Sequence, residues 1–223
     1  MSKHVLVTGF EPFGDVHENP SAVIAQRLDG RSIAGCNVIT EILPVQTGSP
    51  KTRLAQALTA HSPVAIVGLG VAAGRNALAL ERFARNRLHF DFPDNAGVVV
   101  RDRPVSDGGP AERETSFPVD AILNAWAAQG VPGYVSDDAG AYLCNEWLYQ
   151  ALEIASPGTP TGFIHLPALP AYAMQRGPAT TPSMSAELME KGIVVLIEIL
   201  ASLDSLNSHG ANASPERTAS MAR

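Results

Sequence analysis

Residues 64–74, Val64-Ala65-Ile66-Val67-Gly68-Leu69-Gly70-Val71-Ala72-Ala73-Gly74, decide the fold class. Val64 to Gly68 is a continuous apolar run, which is how a strand reads when helices cover both of its faces. Working outward, four similar short segments are expected as strands: Val5 to Gly9, Val38 to Leu43, Tyr134 with Val135, and Gly162 to His165. Helical-period segments lie between them. Asn19-Pro20 and Ser49-Pro50 each place a capping side chain before a proline suited to the first helical position. Leu148, Ala151, Leu152 and Ala155 recur at three and four within Asn145 to Ala155, and Ile193, Leu196, Ile197 and Leu200 do so within a last helix from about Ser183 to Leu203. Alternation of this kind predicts an α/β fold, with a mostly parallel sheet between helix layers.

Two stretches depart from that rhythm. From about Arg75 to Arg103, Leu78, Leu80, Arg82, Leu88, Phe90 and Phe92 mix alternation with turns, so the segment reads as extended and hairpin-like and the sheet as mixed. From residue 204 onward Ser, Asn, Ala, Gly and Pro dominate, and residues 204–223 are expected to be a disordered tail. No interior boundary divides residues 1–203.

Composition narrows the function classes. A chain of 223 residues buries roughly 70% of its unfolded surface, enough for one stable core. With 16 basic against 22 acidic residues, a net charge of −6 and no Lys/Arg cluster, nucleic acid and anionic membranes are disfavoured as partners. The start Met1-Ser2-Lys3-His4 leads into too short an apolar run for a secretory signal. Ile193 to Leu203, broken by Glu198, falls below the ~20 residues a bilayer requires. Two cysteines cannot form a disulfide framework and suit a reducing compartment. A soluble cytoplasmic protein is expected.

Three features carry candidate chemistry. Gly68 to Gly74 fits the G-x-G-x-x-A form of a dinucleotide fingerprint, but a helix does not visibly open after it; a nucleotide-binding protein is the remote alternative, and a glycine turn at the strand ends the plain one. Cys144 opens the helix after the turn-prone Asp137-Asp138-Ala139-Gly140, where the helix dipole and unpaired N–H groups favour a thiolate. The plain alternative is a small buried hydrophobe, which is how Cys36 reads. His165 closes a strand at the edge where open α/β sheets bind ligands, and the Cys144 helix leads back into that strand. His4, His17, His61, His89 and His209 lack such placement, and no histidine pair has metal-ligand spacing. A Cys–His pair needs an acid to orient the imidazole. Glu81, Asp91, Asp94, Asp102, Asp137 and Asp138 all qualify by pattern, and spacing does not choose among them.

At this point the sequence resembles the pyroglutamyl-peptidase I, or pyrrolidone-carboxylate peptidase, family. VLVTGFEPFG with NPS (Val5 to Ser21), AAGR, Glu81-Arg82, PDN (Pro93 to Asn95), GGPA (Gly108 to Ala111), LCN around Cys144 and GFIHLP around His165 occur in the family's order. The resemblance spans the chain to about Leu203. It implies a single-domain three-layer α/β/α fold with a twisted, mixed sheet, and a cysteine peptidase that removes N-terminal pyroglutamate without a cofactor. It further implies a small peptide with a blocked N-terminus as substrate, and a homodimer or homotetramer. By motif, Cys144 is the nucleophile, His165 the acid–base and Glu81 its orienting carboxylate. The substrate pocket maps onto Phe10, Phe13, Asn19, Val71, Phe92, Tyr142 and Leu143. Departures gather in that pocket. Val45 stands for a usual threonine, Val71 for glutamine, Asp91 for arginine, Phe92 for isoleucine, Tyr142 for phenylalanine and Leu143 for valine. Asp91 would reverse a charge near the chemistry. The same triad acting on a different small N-acyl or cyclic amide is therefore the second expectation.

Overall fold

The computed structural model describes residues 2–177 and 179–210. A seven-stranded sheet carries β1 (Lys3–Phe10), β2 (Ser32–Ile33), β3 (Cys36–Leu43), β4 (Ala65–Val71), β5 (Leu78–Glu81), β8 (Gly133–Ser136) and β9 (Thr161–Leu166) in the order β2-β3-β1-β4-β9-β5-β8. A separate ribbon pairs β6 (Phe83–Arg85) with β7 (Glu112–Glu114). Parallel pairings join β3 to β1, β1 to β4, β4 to β9 and β5 to β8. β5 runs antiparallel to β9, and β2 to β3, so the sheet is mixed as expected.

Helices cover both faces. On one side α1 (Pro20–Leu28), α3 (Val119–Ala128) and α6 (Ala186–Gly210) pack over Val5, Val7, Val67, Leu69 and Ile164. On the other, α2 (Ser49–His61) and α4 (Leu143–Ile154) pack over Leu6, Phe10, Ile66 and Phe163. Neighbouring strand residues thus feed opposite cores, which explains runs that are apolar throughout. A short α5 (Pro170–Arg176) follows β9. Among the described residues no helix is long and apolar enough to cross a membrane.

Several local expectations are refined. Asn19 caps α1, accepting from Ser21 N–H at 3.1 Å. Ser49 does not cap α2: Gly48, in a left-handed conformation, precedes the helix, and the Ser49 hydroxyl donates to the Gln46 carbonyl at 2.8 Å. Helix α6 continues past Leu203 to Gly210, and the rest of the expected tail lies outside the described residues.

Because β3 and β4 extend the sheet to either side of β1, the strand order reverses between β1 and β4. That is where open α/β sheets form a crevice at their carboxyl ends. Phe10 ends β1, Val71 ends β4, and His165 is the penultimate residue of β9.

Candidate active site

Cys144 is the second residue of α4, so the N–H groups of its first turn surround the sulfur's end of the helix. Tyr142 precedes the helix without a capping side-chain bond. No described side chain therefore competes with a ligand for those donors.

The opposing wall comes from a strand face cleared by glycine. Register places Gly68 beside Phe163 and Gly70 beside His165, so the two glycines share one face of β4. A Cβ on Gly68 would lie 2.4 Å from both the Phe163 and Trp147 rings, and one on Gly70 would lie 2.7 Å from Cys144 Sγ. The spacing G-x-G is thus the period of a strand, keeping side chains off the face on which α4 docks. This corrects the dinucleotide reading of Gly68 to Gly74. Gly68 and Gly70 lie inside β4, and the chain beyond Val71 makes a turn, closed by Arg75 N–H on Ala72 O, and then enters β5 with no helix opening.

β5 and β9 supply the acid and the base. Their antiparallel register sets Ala79 opposite His165 and Glu81 opposite Phe163, so Glu81 and His165 are diagonal neighbours on the face beneath α4. His165 Nδ1 lies 2.7 Å from Glu81 Oε1 in a buried contact. That leaves Nε2 for Cys144, whose sulfur faces Gly70, the register partner of His165, and which lines the same cavity as His165. Burial opposes the imidazolium. The charge and hydrogen bond of the Cys144 sulfur, with those of Glu81, outweigh it and hold His165 at about 9.

The geometry chooses among the acids that the sequence left open. Asp94 accepts from Thr47, Ala96 and Val98 N–H. Asp102 pairs with Arg87 and His89, Asp137 with Arg82, and Asp138 with Gly140 N–H. Asp91 is 86% exposed, 3.7 Å from His89 Nε2, and does not line the cavity. Its charge reversal therefore falls on the outer surface and not on the chemistry, contrary to the expectation. Glu81 alone of the six meets His165.

Beside Cys144 and His165 opens an apolar cavity of about 190 Å³. Phe10, Phe13, Asn19, Val71, Phe92, Tyr142 and Leu143 all line it, as expected, and Val45 and Ala139 join them. Phe13 and Phe92 lie nearly parallel, 13° apart at a centroid distance of 6.3 Å, and Tyr142 meets both. The Tyr142 phenol is pushed up to about 12, chiefly by burial and then by the Asp94 and Cys144 charges, so it stays neutral. Asn19 has little left to offer a ligand: Oδ1 accepts from Ser21 N–H and hydroxyl, and Nδ2 donates to Glu11 O. Among the described residues no group of His, Cys, Asp and Glu is arranged to hold a metal ion.

The chain matches known proteins along nearly its whole length. A family model described as Pyroglutamyl peptidase matches residues 3–202. The chain belongs to the pyroglutamyl peptidase family. The Pyrococcus furiosus pyrrolidone-carboxylate peptidase is 37% identical over 200 residues, covering 87% of this chain and 96% of the relative. Its Gloeobacter violaceus counterpart is 39% identical, covering 89% and 97%. The crystal structure of pyrrolidone carboxyl peptidase from Pyrococcus furiosus superposes with a TM-score of 0.86 at 35% identity, covering 91% of this chain and 99% of that one.

Residues of the LCN and PDN motifs tie the loops around the site together. The Asn145 side chain, fully buried, accepts from Arg85 N–H and donates to the Arg85 and Arg87 carbonyls, tying β6 to the nucleophile helix. Asp94 and Asn95 organise the loop that carries Val45: Asn95 N–H donates to Val45 O, and Asn95 Nδ2 to Glu11 Oε1, which also accepts from Val45 N–H. Glu146 receives Gly48 N–H at 2.8 Å and the Thr47 hydroxyl at 3.0 Å, and burial pushes its carboxyl up against those bonds. Arg75 also donates to Glu81, a contact the sequence did not foretell.

Proposed function

We propose that the chain is a cysteine peptidase that hydrolyses the amide bond following an N-terminal pyroglutamyl residue. The observation that carries the reading is the buried Glu81–His165 hydrogen bond, with His165 and Cys144 together on the wall of one small apolar cavity. A five-membered lactam is flat, small and uncharged, and aromatic walls at Phe10, Phe13 and Tyr142 suit it.

The chemistry is acyl transfer. The Cys144 thiolate attacks the pyroglutamyl carbonyl carbon, and the carbonyl electron pair moves onto oxygen. First-turn N–H groups of α4 are placed to receive that oxyanion. Collapse of the adduct breaks the C–N bond, and the His165 imidazolium gives its Nε2 proton to the departing amine. Water then adds to the thioester while His165 takes its proton. Pyroglutamate leaves and the thiolate returns. Glu81 holds Nδ1 and with it the ring orientation throughout.

Release of aminomethylcoumarin from its pyroglutamyl amide tests the reading, with Cys144→Ala as control. Turnover by the parent and none by Cys144→Ala is expected; equal turnover in both removes the mechanism. A second reading, a different small N-acyl or cyclic amide, is favoured by the apolar Val45, Val71 and Phe92, which leave few side-chain donors in the cavity. It predicts alkylation of Cys144 without pyroglutamyl turnover. The thiol chemistry requires a reduced Cys144, which supports placing the protein in the cytoplasm; both cysteines are free.

A further inference from the structure

We propose that Arg75 is a positioning residue for the thiol chemistry, acting through Glu81 and through the loop that leads to Cys144. The inference rests on the peptidase reading above. Glu81 is fully buried, and its two oxygens are unequally served. Oε1 meets both His165 Nδ1, at 2.7 Å, and Arg75 NH1, at 2.5 Å, whereas Oε2 is buried with no partner. Without Arg75, a carboxylate deep in the sheet would keep its charge on one hydrogen bond alone. A buried charge matched by so few partners is costly to keep in place.

The guanidinium does a second thing with its other arm. Arg75 NH2 donates to Asp138 O at 3.1 Å, at the start of the segment 138–142 that delivers Cys144. The turn bearing Arg75 is in turn pinned to β9, since Ala72 N–H donates to Leu166 O, next to His165. One planar fork therefore joins the acid to the approach to the nucleophile, from a turn that is itself tied to the strand of the base. Lysine, a point charge, cannot hold both bonds in that geometry.

The charges along this line alternate: Cys144 thiolate, His165 imidazolium, Glu81 carboxylate, Arg75 guanidinium. The other charged groups around it are accounted for. Arg82, next to Glu81 on the chain, is held by both oxygens of Asp137 and also feels Glu114; the Asp138 carboxylate is held by Gly140 N–H. Arg75 is the cation that touches Glu81. Removing it takes one positive charge from a buried, coupled group, so that group binds its next proton at higher pH.

The test compares the full-length parent, Arg75→Gln and Arg75→Lys by two readouts against pH: kcat/KM on the pyroglutamyl coumarylamide, and the rate of iodoacetamide alkylation at Cys144, followed on the Cys144 peptide. In Arg75→Gln the acid limb of both profiles is expected to move up by about one pH unit. Its kcat should fall roughly 10- to 100-fold, the scale of outer partners that orient a working histidine, with KM little changed. Arg75→Lys should keep the parent's acid limb, because the charge stays, and lose kcat because the Asp138 tie is gone. An unmoved acid limb in Arg75→Gln, an acid limb in Arg75→Lys displaced as far as in Arg75→Gln, or a parental kcat in Arg75→Lys overturns the proposal. If Arg75→Gln does not fold, the Arg75→Lys outcomes decide alone. Should the parent turn over no pyroglutamyl amide while alkylation still shows the shift, the substrate reading fails and the role of Arg75 stands; normal turnover with unmoved limbs is the converse.

Discussion

Gly70 and Cys144 are fitted to one another across the sheet–helix interface: a Cβ on Gly70 would stand 2.7 Å from the Cys144 sulfur and 2.7 Å from Phe163 Cζ. Neither neighbour is free to retreat, because Phe163 is fully buried against Trp147 and Cys144 is held in the first turn of α4. Gly70→Ala is therefore expected to push the sulfur off its line to His165. A displacement approaching 1 Å costs about 100-fold in rate, and the loss should appear in kcat. Steady-state kinetics beside a far-UV circular dichroism spectrum check this. A folded Gly70→Ala enzyme with parental kcat would show that the glycine does not set the sulfur's position.

The His165–Cys144 pairing gives the pH behaviour a definite sign. In the folded protein His165 titrates at about 9, above its ordinary 6.5. Its contribution to stability is therefore complete below about pH 6.5 and is lost as pH rises through about 9. The window corresponds to on the order of 3 kcal/mol. Urea unfolding of the parent and of His165→Gln should show the largest gap at the acid end and a closing gap toward the alkaline end. kcat/KM should follow a bell whose alkaline limb lies near that upper value, both limits belonging to the coupled pair. A profile flat through the window contradicts the partnership.

Phe92 is half exposed yet stacks against Phe13 and meets Tyr142 at a centroid distance of 4.9 Å, so it forms the outer edge of the cavity. A wall of this kind binds substrate and transition state alike. Phe92→Ala should raise KM about tenfold and leave kcat nearly unchanged, the scale of a lost apolar contact. A fall in kcat at constant KM would instead assign Phe92 to the transition state.

The parts of this site that were legible in the sequence are those fixed by local order. A cysteine at a helix start and a histidine at a strand end are placed by patterns a few residues long. The choice of Glu81 was not legible from spacing, because its contact with His165 arises from β5 running antiparallel beside β9, a pairing between residues 84 apart in the chain. Gly68 and Gly70 left two roles open for a related reason: the same G-x-G opens a phosphate loop or clears one face of a strand; the lack of a visible helix after Gly74 spoke against the first, and the docking of Trp147 and Cys144 shows the second. Helix α3 has no capping side chain at Pro118 to announce it, and Ser49 looked like a cap because serine before proline usually is one. Asp91 qualified by pattern beside the other acids, and its direction was not legible: the structure leaves it 86% exposed while its neighbour Phe92 lines the cavity.

Asn145 has the strongest structural claim of the residues next to the nucleophile. Its Oδ1 accepts Arg85 N–H at 2.7 Å, and its Nδ2 donates to the carbonyls of Arg85 and Arg87, each at 2.9 Å. The side chain is completely buried, so water cannot replace it. Asn145→Ala leaves one backbone donor and two acceptors in need of new partners, at a cost of roughly 3 kcal/mol. Among the described residues β6 is short and pairs with β7 alone, so the segment from Arg85 to Arg87 should loosen before the main sheet does. Amide hydrogen exchange is expected to rise first at Arg85, with a lowered unfolding midpoint. Asn145→Asp should be worse than a simple isostere, because a carboxylate would face the two carbonyl oxygens that the amide now satisfies. Parental stability and parental exchange at Arg85 in Asn145→Ala would mean that the β6–β7 ribbon holds itself, and that this asparagine owes its place beside Cys144 to something other than the fold.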